Sequence, residues 1–369
     1  MLEKVLNWAD NFLEQIRKEK KKYDIRKILK KEEINEEELY ILLSDTDDNN
    51  LVLMAEKVQK KLTERYYGKV ITLFTPLYLS NYCLSSCKYC GFSIENKIKR
   101  IKLKKEELIE EYKHIKNFGI DSILLLTGCD RINTPFEYIL SAVEEAKNYF
   151  SEIIIEVYPM DEEEYKILVN RGLTGVTQYQ ETYNLKIYEE LHPYGPKKDF
   201  WYRIKTQERA IKAGVFEVTL GILLGLNNPI EDTFKMLLHA KYLMQKYPKA
   251  EINISFPRYR PAGTNFVPQY IVNSKTLLRL IFTSRIYLPP IGITISTRES
   301  PKLRDLIIGY GVTKMSAGSK TSVGGYAKDR ESETQFEVED KRSIKEIIEI
   351  IKSKGYRPEF TNWIKGGIA

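Results

Sequence analysis

The stretch VITLFTPLYLSNYCLSSCKYCGF (70–92) decides how the rest of the chain is read. Its first residues form a short apolar run of the kind that becomes a buried strand, and the run opens into a loop holding Cys83, Cys87 and Cys90. Moving outward, the same alternation recurs. Strand-like runs are predicted at 70–75, 122–127, 152–158, 174–179, 216–224, 251–256, 292–297 and 312–317, with helix-periodic segments at about 104–118, 135–149, 161–171, 200–213, 231–247, 274–287 and 300–310 between them. Eight such units predict an α/β chain closed into a TIM-like (β/α)8 barrel rather than an open sheet. Several runs end in small, polar or ionisable residues: Thr127-Gly128, Glu156, Gln180-Glu181, Ser255, Ser296-Thr297-Arg298 and Ser316. In barrels that edge carries the active site. Residues 1–68, with Leu2, Val5, Leu6, Ala9, Phe12, Leu13 and Ile16 at helical spacing, read as an N-terminal helical extension; 69–319 is the expected barrel, and 320–369 an extension that closes it, with a helix at 343–353.

The 369 residues can bury a full core, and the longest apolar stretch, Leu220 to Leu226, is far short of the ~20 residues of a membrane span. The opening MLEKVLNWADNFLEQ has neither an uninterrupted apolar segment nor a small-residue cleavage site, which predicts a cytoplasmic protein. Basic residues exceed acidic ones by 58 to 51, but they are interleaved, as in KLKKEELIEEYK (102–113). That pattern reads as solvated helix faces rather than a nucleic-acid surface. Four cysteines are too few for a disulfide framework, and three of them fall within eight residues, so metal or redox chemistry is expected.

Three thiolates on one short loop can hold three corners of a cubane [4Fe-4S] cluster and leave one iron open. A zinc site would need a fourth ligand, from Cys129, His114, His192 or His239, and none stands at zinc-finger spacing. Cys129 itself, in Thr127-Gly128-Cys129-Asp130, reads as a buried thiol or a redox group facing the cluster. The Cys-x3-Cys-x2-Cys spacing, with an aromatic residue before the last cysteine, resembles the radical S-adenosylmethionine superfamily, in which the amino and carboxylate groups of S-adenosyl-L-methionine chelate the open iron. The resemblance implies that Cys83, Cys87 and Cys90 bind the cluster, that Tyr89 lies near the adenine, and that Thr127 and Gly128 offer carbonyls to the methionine amino group. It gives Glu156 and Glu181 to ribose hydroxyls or an ammonium group, and Arg203 to the methionine carboxylate. The glycine-bearing segment from Gly221 to Leu226 resembles a fifth strand that lets adenine approach the backbone.

Within that superfamily the blocks PLYLSNYCLSSCKYCGFSIENKIKR (76–100), YQETY (179–183), DFWYRIKTQERAIKAGV (199–215), SFPRYRPAG (255–263), STRESPKLRDLIIGYGVTKMSAGSKTSVGGY (296–326) and EFTNW (359–363) resemble the 2-iminoacetate synthases, tyrosine lyases of thiamine-thiazole biosynthesis. The resemblance implies hydrogen-atom removal from the amino group of L-tyrosine and cleavage of its Cα–Cβ bond. The products are 2-iminoacetate and, after the aryl radical left by cleavage is reduced with an electron and a proton, p-cresol, with 5′-deoxyadenosine and methionine. It also implies two partners, thiazole synthase and a reductant such as flavodoxin or ferredoxin. Such a substrate demands a carboxylate clamp, and a guanidinium presents paired donors in carboxylate geometry. Arg298 is the first expectation, Arg258 or Arg260 the second, with Ser316 and Ser319 adding hydrogen bonds. Two related groups share the barrel: a tryptophan lyase, and the tyrosine lyase of hydrogenase maturation. The latter uses a second cluster held by cysteines after the barrel, and this sequence has none beyond Cys129. Where relatives commonly place Glu after the Thr-Gly pair, Cys129-Asp130 stands here.

Overall fold

The barrel is assembled on one long strand, β1 (Val70–Tyr78), in a computed structural model that describes residues 1–18, 23–328 and 334–361. Thr72 to Phe74 of β1 pair with β8 (Lys314–Ser316), and Thr75 to Tyr78 pair with β2 (Ser122–Leu126). β3 (Glu152–Glu156), β4 (Gly175–Glu181), β5 (Glu217–Ile222), β6 (Glu251–Ser255) and β7 (Gly292–Ile295) complete a closed, all-parallel ring in sequence order. This is the (β/α)8 architecture that the alternation predicts. Several strands stop a few residues before the predicted end, β3 at 156 and β7 at 295, because the chain there leaves the ladder to build the loops of the mouth.

The N-terminal segment holds α1 (Leu2–Ile16), α2 (Ile25–Lys30), α3 (Glu36–Ser44), α4 (Asp48–Lys57) and α5 (Glu64–Tyr67), the last two joined by a π-helical stretch over 58–63. Two of these, α2 and α3, have no counterpart in the periodicity reading. The start of α3 is fixed by a capping box, in which Asn35 accepts from the Glu38 amide and the Glu38 carboxylate accepts from that of Asn35. Around the barrel follow α6 (Lys105–Asn117), α7 (Phe136–Ala146), α8 (Glu162–Asn170), α9 (Leu185–Leu191), α10 (Phe200–Ile204), α11 (Thr206–Lys212), α12 (Pro229–Lys246), α13 (Ser274–Tyr287), α14 (Pro301–Leu306) and α15 (Ile344–Ser353). The helix expected over 200–213 is thus two helices, broken at Lys205. α1 lays the stripe Leu2, Leu6, Ala9, Leu13 and Ile16 inward and packs on α12. Each such leucine contributes ~1.5–3 kcal/mol by leaving water. Because α1 and α3 cover it, α12 is buried nearly all round.

A ninth strand, β9 (Arg357–Glu359), pairs with Val70 to Thr72 of β1, below the point at Thr75 where β2 begins its pairing. The sequence reading left this stretch in the tail. Asn362 and Trp363 of the EFTNW block lie outside the described residues. Above the barrel, the glycine- and serine-rich loop after β8 is held by the buried Glu111 of α6. Its carboxylate accepts from the amides of Gly325 at 3.2 Å, Tyr326 at 2.8 Å and Ala327 at 3.1 Å. The core has two parts: a large one between strands and helices, and a small apolar layer within the barrel made by Phe74, Tyr78, Leu124, Leu126 and Ile154 with Phe92 above them.

Candidate active site

The cysteine loop leaves the top of β1 with no regular structure of its own, so its shape is set by hydrogen bonds from outside. Arg100 supplies four of them. Its guanidinium donates to the carbonyls of Asn81 (2.7 Å), Phe92 (2.8 Å), Ser93 (2.6 Å) and Asn96 (3.2 Å), drawing both ends of the loop together. The Asn96 amide donates to the carbonyls of Cys90 and Gly91, and the amides of Leu84, Ser86 and Lys88 donate to the carbonyls of Cys129, Tyr194 and Leu191. Two glycines permit this packing. A Cβ on Gly128 would stand 2.2 Å from the Tyr82 carbonyl oxygen, and one on Gly195 would stand 2.2 Å from that of Leu84.

All three loop cysteines are free thiols, and Cys90 lines the cavity described below. Burial pushes the Cys87 thiol up to about 12 against the pull of Lys197, and it raises Cys90 in the same way. Holding a metal centre would ask these cysteines for their thiolate forms, so loading would release protons. Among the described residues no group of three or more His, Cys, Asp or Glu side chains converges on a single metal ion. A cubane asks for something different, since each thiolate meets its own iron, so the donor set fits three corners of a [4Fe-4S] cluster. The histidines proposed for zinc are engaged elsewhere. His239 pairs with the hydroxyl of Tyr183 at 2.9 Å, and His114 packs on Phe118. The His192 ring is kept neutral by burial, donates from Nδ1 to the Tyr188 carbonyl at 2.7 Å, and accepts at Nε2 from the Tyr89 hydroxyl at 2.8 Å. Cys129 does come close: its buried side chain lies beside Cys83 and Arg203. Asp130 is turned into its own loop, where it accepts from the amides of Ile132 and Asn133, and so does not replace the missing Glu.

Below the loop a cavity opens at the C-terminal ends of the strands. Tyr89, Cys90, Glu156, Glu181, Arg298, Ser316 and Ser319 all line it, together with Lys197, which the sequence reading passed over. Lys197 follows Gly195-Pro196, donates its backbone N–H to Ser85 Oγ, and places its ammonium 2.5 Å from Glu181. Glu181 closes β4 at a bulge with φ +72°, a strained value for a non-glycine residue. The carboxyl of Glu156, at the end of β3, has no hydrogen-bond or ion-pair partner among the described residues; burial and the charge of Glu181 lift it to about 7. Thr127 donates its hydroxyl to the Gly128 carbonyl, which also accepts from the Asp130 amide.

Three expectations do not match this geometry. Arg203 does not line the cavity. It is buried in the wall, where Nε donates to the Tyr179 carbonyl at 2.8 Å and the Gln178 amide, turned so that its oxygen faces the guanidinium, accepts from both terminal nitrogens. Arg258 is claimed by the buried Glu299, to which Nε donates at 2.9 Å, and by the Val272 carbonyl, so it is not available as a clamp. The Cα of Gly221 faces the ring of Tyr179 rather than open space. Arg260 is ion-paired with Glu339. Arg298 alone among these arginines has no carboxylate partner. It lies over the Phe336 ring and makes one long contact, 3.5 Å, to the Arg258 carbonyl.

Comparison with known proteins gives this arrangement a lineage. The Radical SAM superfamily model matches residues 77–240, and the Biotin and Thiamin Synthesis associated domain matches 255–357. The chain is 34% identical over 341 residues to the 2-iminoacetate synthase of Escherichia coli K12, covering 92% of this chain and 90% of that one. It belongs to the 2-iminoacetate synthase family. Two solved structures of the [FeFe]-hydrogenase maturase HydG are also similar to this family member. One matches at TM-score 0.89 with 34% identity over 96% of this chain and 80% of its own. The other, from Carboxydothermus hydrogenoformans, matches at 0.91 with 31% identity over 98% and 86%. The cysteine loop falls at the start of the superfamily match, and Arg298 and Ser316 fall in the associated domain.

Proposed function

We propose that this member of the 2-iminoacetate synthase family is a radical SAM carbon–carbon lyase that cleaves L-tyrosine to 2-iminoacetate and p-cresol for thiamine-thiazole assembly. The observation that carries the substrate assignment is the guanidinium of Arg298, which faces the cavity without a carboxylate partner. A buried guanidinium of that kind is completed by a ligand carboxylate. Ser319, whose buried Oγ has no partner, and Ser316 stand on the same wall. Cys83, Cys87 and Cys90 would hold the cluster, and S-adenosyl-L-methionine would lie between them and the substrate, near Tyr89 and Glu181. When bound, the two groups supply a 5′-deoxyadenosyl radical able to take a hydrogen atom. The residues of the chain orient the amino group toward that carbon, and the apolar walls formed by Phe74, Leu124 and Leu126 receive the aryl ring away from water.

The test is direct. Protein reconstituted anaerobically with iron and sulfide is incubated with S-adenosyl-L-methionine, a reductant and either tyrosine or tryptophan. Formation of p-cresol and 5′-deoxyadenosine from tyrosine alone supports the reading, and an indole product from tryptophan would replace it with the tryptophan-lyase reading. We further infer a cytoplasmic setting with a flavodoxin- or ferredoxin-type reductant, and direct hand-over to thiazole synthase, because the imine product hydrolyses readily in water. No helix among the described residues is long and apolar enough to cross a membrane. Equal glyoxylate accumulation with and without thiazole synthase would sink the hand-over.

A further inference from the structure

The cavity has two poles that the fold sets apart. Around the ring, β3 reaches β7 by β4, β5 and β6 in one direction and by β2, β1 and β8 in the other. The two strands are therefore diametrically opposed. Glu156 is the last residue of β3, and Arg298 stands three residues beyond the end of β7, so carboxylate and guanidinium face each other across the mouth. The wall between them on the β1–β2 side is apolar, built by Phe74, Leu124 and Leu126. Three other polar groups of the mouth are engaged within the protein. The hydroxyl of Tyr78 donates to Gln335 at 2.7 Å, that of Tyr179 lies beside Ser255, and the carboxylate of Glu181 holds Lys197.

An aromatic amino acid held by its carboxylate at Arg298 must send its ring along that apolar wall, since a bulky ring is the part that gains by leaving water. Its ammonium cannot be the group that meets Glu156. It sits on the same carbon as the clamped carboxylate and stays at the Arg298 pole. What arrives at the far pole is the substituent at the end of the ring. We propose that Glu156 accepts the hydrogen bond of the substrate's phenol O–H, so that tyrosine is gripped at both ends and selected over aromatic amino acids without the hydroxyl. The proposal rests on the lyase reading above and names a specificity residue for it. Burial supports the role, because a carboxylate with raised proton affinity is a stronger acceptor, and one without a protein partner is the costliest group to leave unmatched when the hydroxyl is missing.

The test uses the reconstituted holoenzyme as wild type, Glu156→Gln and Glu156→Leu, with L-tyrosine and L-phenylalanine as probes. The readouts are kcat/KM for substrate-dependent 5′-deoxyadenosine formation and, separately, the Kd for S-adenosyl-L-methionine. Sites built around a substrate hydroxyl reject the analogue lacking it by ~10⁴–10⁵-fold, so the wild type should prefer tyrosine strongly and Glu156→Leu should bring the two within about 10-fold. Glu156→Gln, whose amide oxygen still accepts, should fall between them. The Kd for S-adenosyl-L-methionine should be unchanged in both variants. A tyrosine preference that survives undiminished in Glu156→Leu, or that equals the wild-type preference in Glu156→Gln if the leucine variant does not load its cluster, overturns the proposal. So does a loss of S-adenosyl-L-methionine affinity with the preference intact, which would assign Glu156 to the ribose. A wild type that makes no p-cresol from tyrosine overturns the lyase reading and this inference together.

Discussion

The ammonium of Lys197 and the carboxylate of Glu181 stand 2.5 Å apart with side chains only 11% and 10% exposed, and the pair joins two parts of the site that the sequence keeps separate. Glu181 ends β4 in a left-handed conformation, φ +72°, while the backbone N–H of Lys197 is bonded to Ser85 in the cysteine loop. Lys197→Met would leave the buried Glu181 carboxylate, at a strained residue, with only the longer contact to Arg203 at 3.8 Å. Removing one partner of such a pair costs about 3–5 kcal/mol. We expect a lower melting temperature of the apoprotein and less iron bound per chain after reconstitution. A melting temperature equal to that of wild type would mean that water reaches Glu181 freely.

Arg100 gathers four carbonyls of the cysteine loop, and a lysine cannot copy it, because one ammonium on a flexible stem does not span that fork. Arg100→Lys and Arg100→Ala should both lose most of the cluster on reconstitution while far-ultraviolet circular dichroism remains that of the barrel. Full iron loading in the lysine variant would show that the loop is shaped by the cluster itself.

Much of this architecture is legible in the sequence, and the gaps have physical causes. Most of the barrel strands announce themselves because parallel strands buried on both faces carry continuous apolar runs, as in Ile153-Ile154-Ile155 or Leu124-Leu125-Leu126. β9 does not, because it is three residues with Pro358 in the middle, a composition that argues against a strand except at an edge. In the site, the cysteines and Arg298 were visible from a motif and from a strand end. Lys197 and Arg100 sit on irregular loops where no periodicity applies, and their roles come from how those loops fold, Lys197 on Ser85 and Glu181 and Arg100 on carbonyls 4 to 19 residues away. Arg258 and Arg298 look alike in sequence; the difference is Glu299, whose buried carboxylate claims only the first.

That difference is measurable. Arg298→Ala should leave cluster assembly intact and weaken tyrosine binding by roughly 2–5 kcal/mol, the range for truncating one partner of a buried hydrogen-bonded charge pair. Arg258→Ala should act on folding instead, because it strands Glu299, whose side chain is 1% exposed, and should cost about 3–5 kcal/mol of stability. Calorimetric binding and thermal unfolding separate the two. Normal tyrosine affinity in Arg298→Ala would pass the clamp to Arg260.

The contact between Cys129 and Cys83 tests the ligand set. Cys83→Ala, Cys87→Ala and Cys90→Ala should each abolish 5′-deoxyadenosine formation, whereas Cys129→Ala should keep the cluster's absorbance and most of the activity. Loss of the cluster in Cys129→Ala would make it a fourth ligand.

Glu156 should also leave a signature in the apoprotein. Its carboxyl is lifted from 4.5 to about 7, first by burial and then by Glu181, while Lys197, Arg203 and Arg298 pull the other way. Between pH 4.5 and 7 the unfolded chain gives up this proton and the folded chain keeps it, so the residue's contribution to stability falls as pH rises through that window and is constant above it. Glu156→Gln has no such proton to lose. The stability difference, variant minus wild type, should be near zero at the acid end and grow to a plateau above neutrality. A full shift of this size would give about 3 kcal/mol, and because the carboxyl keeps part of its surface toward the cavity the plateau should lie at about 1–3 kcal/mol in favour of Gln. Chemical denaturation at a series of pH values reads it directly, and a difference that stays flat across the window would show a carboxylate already solvated in the empty barrel.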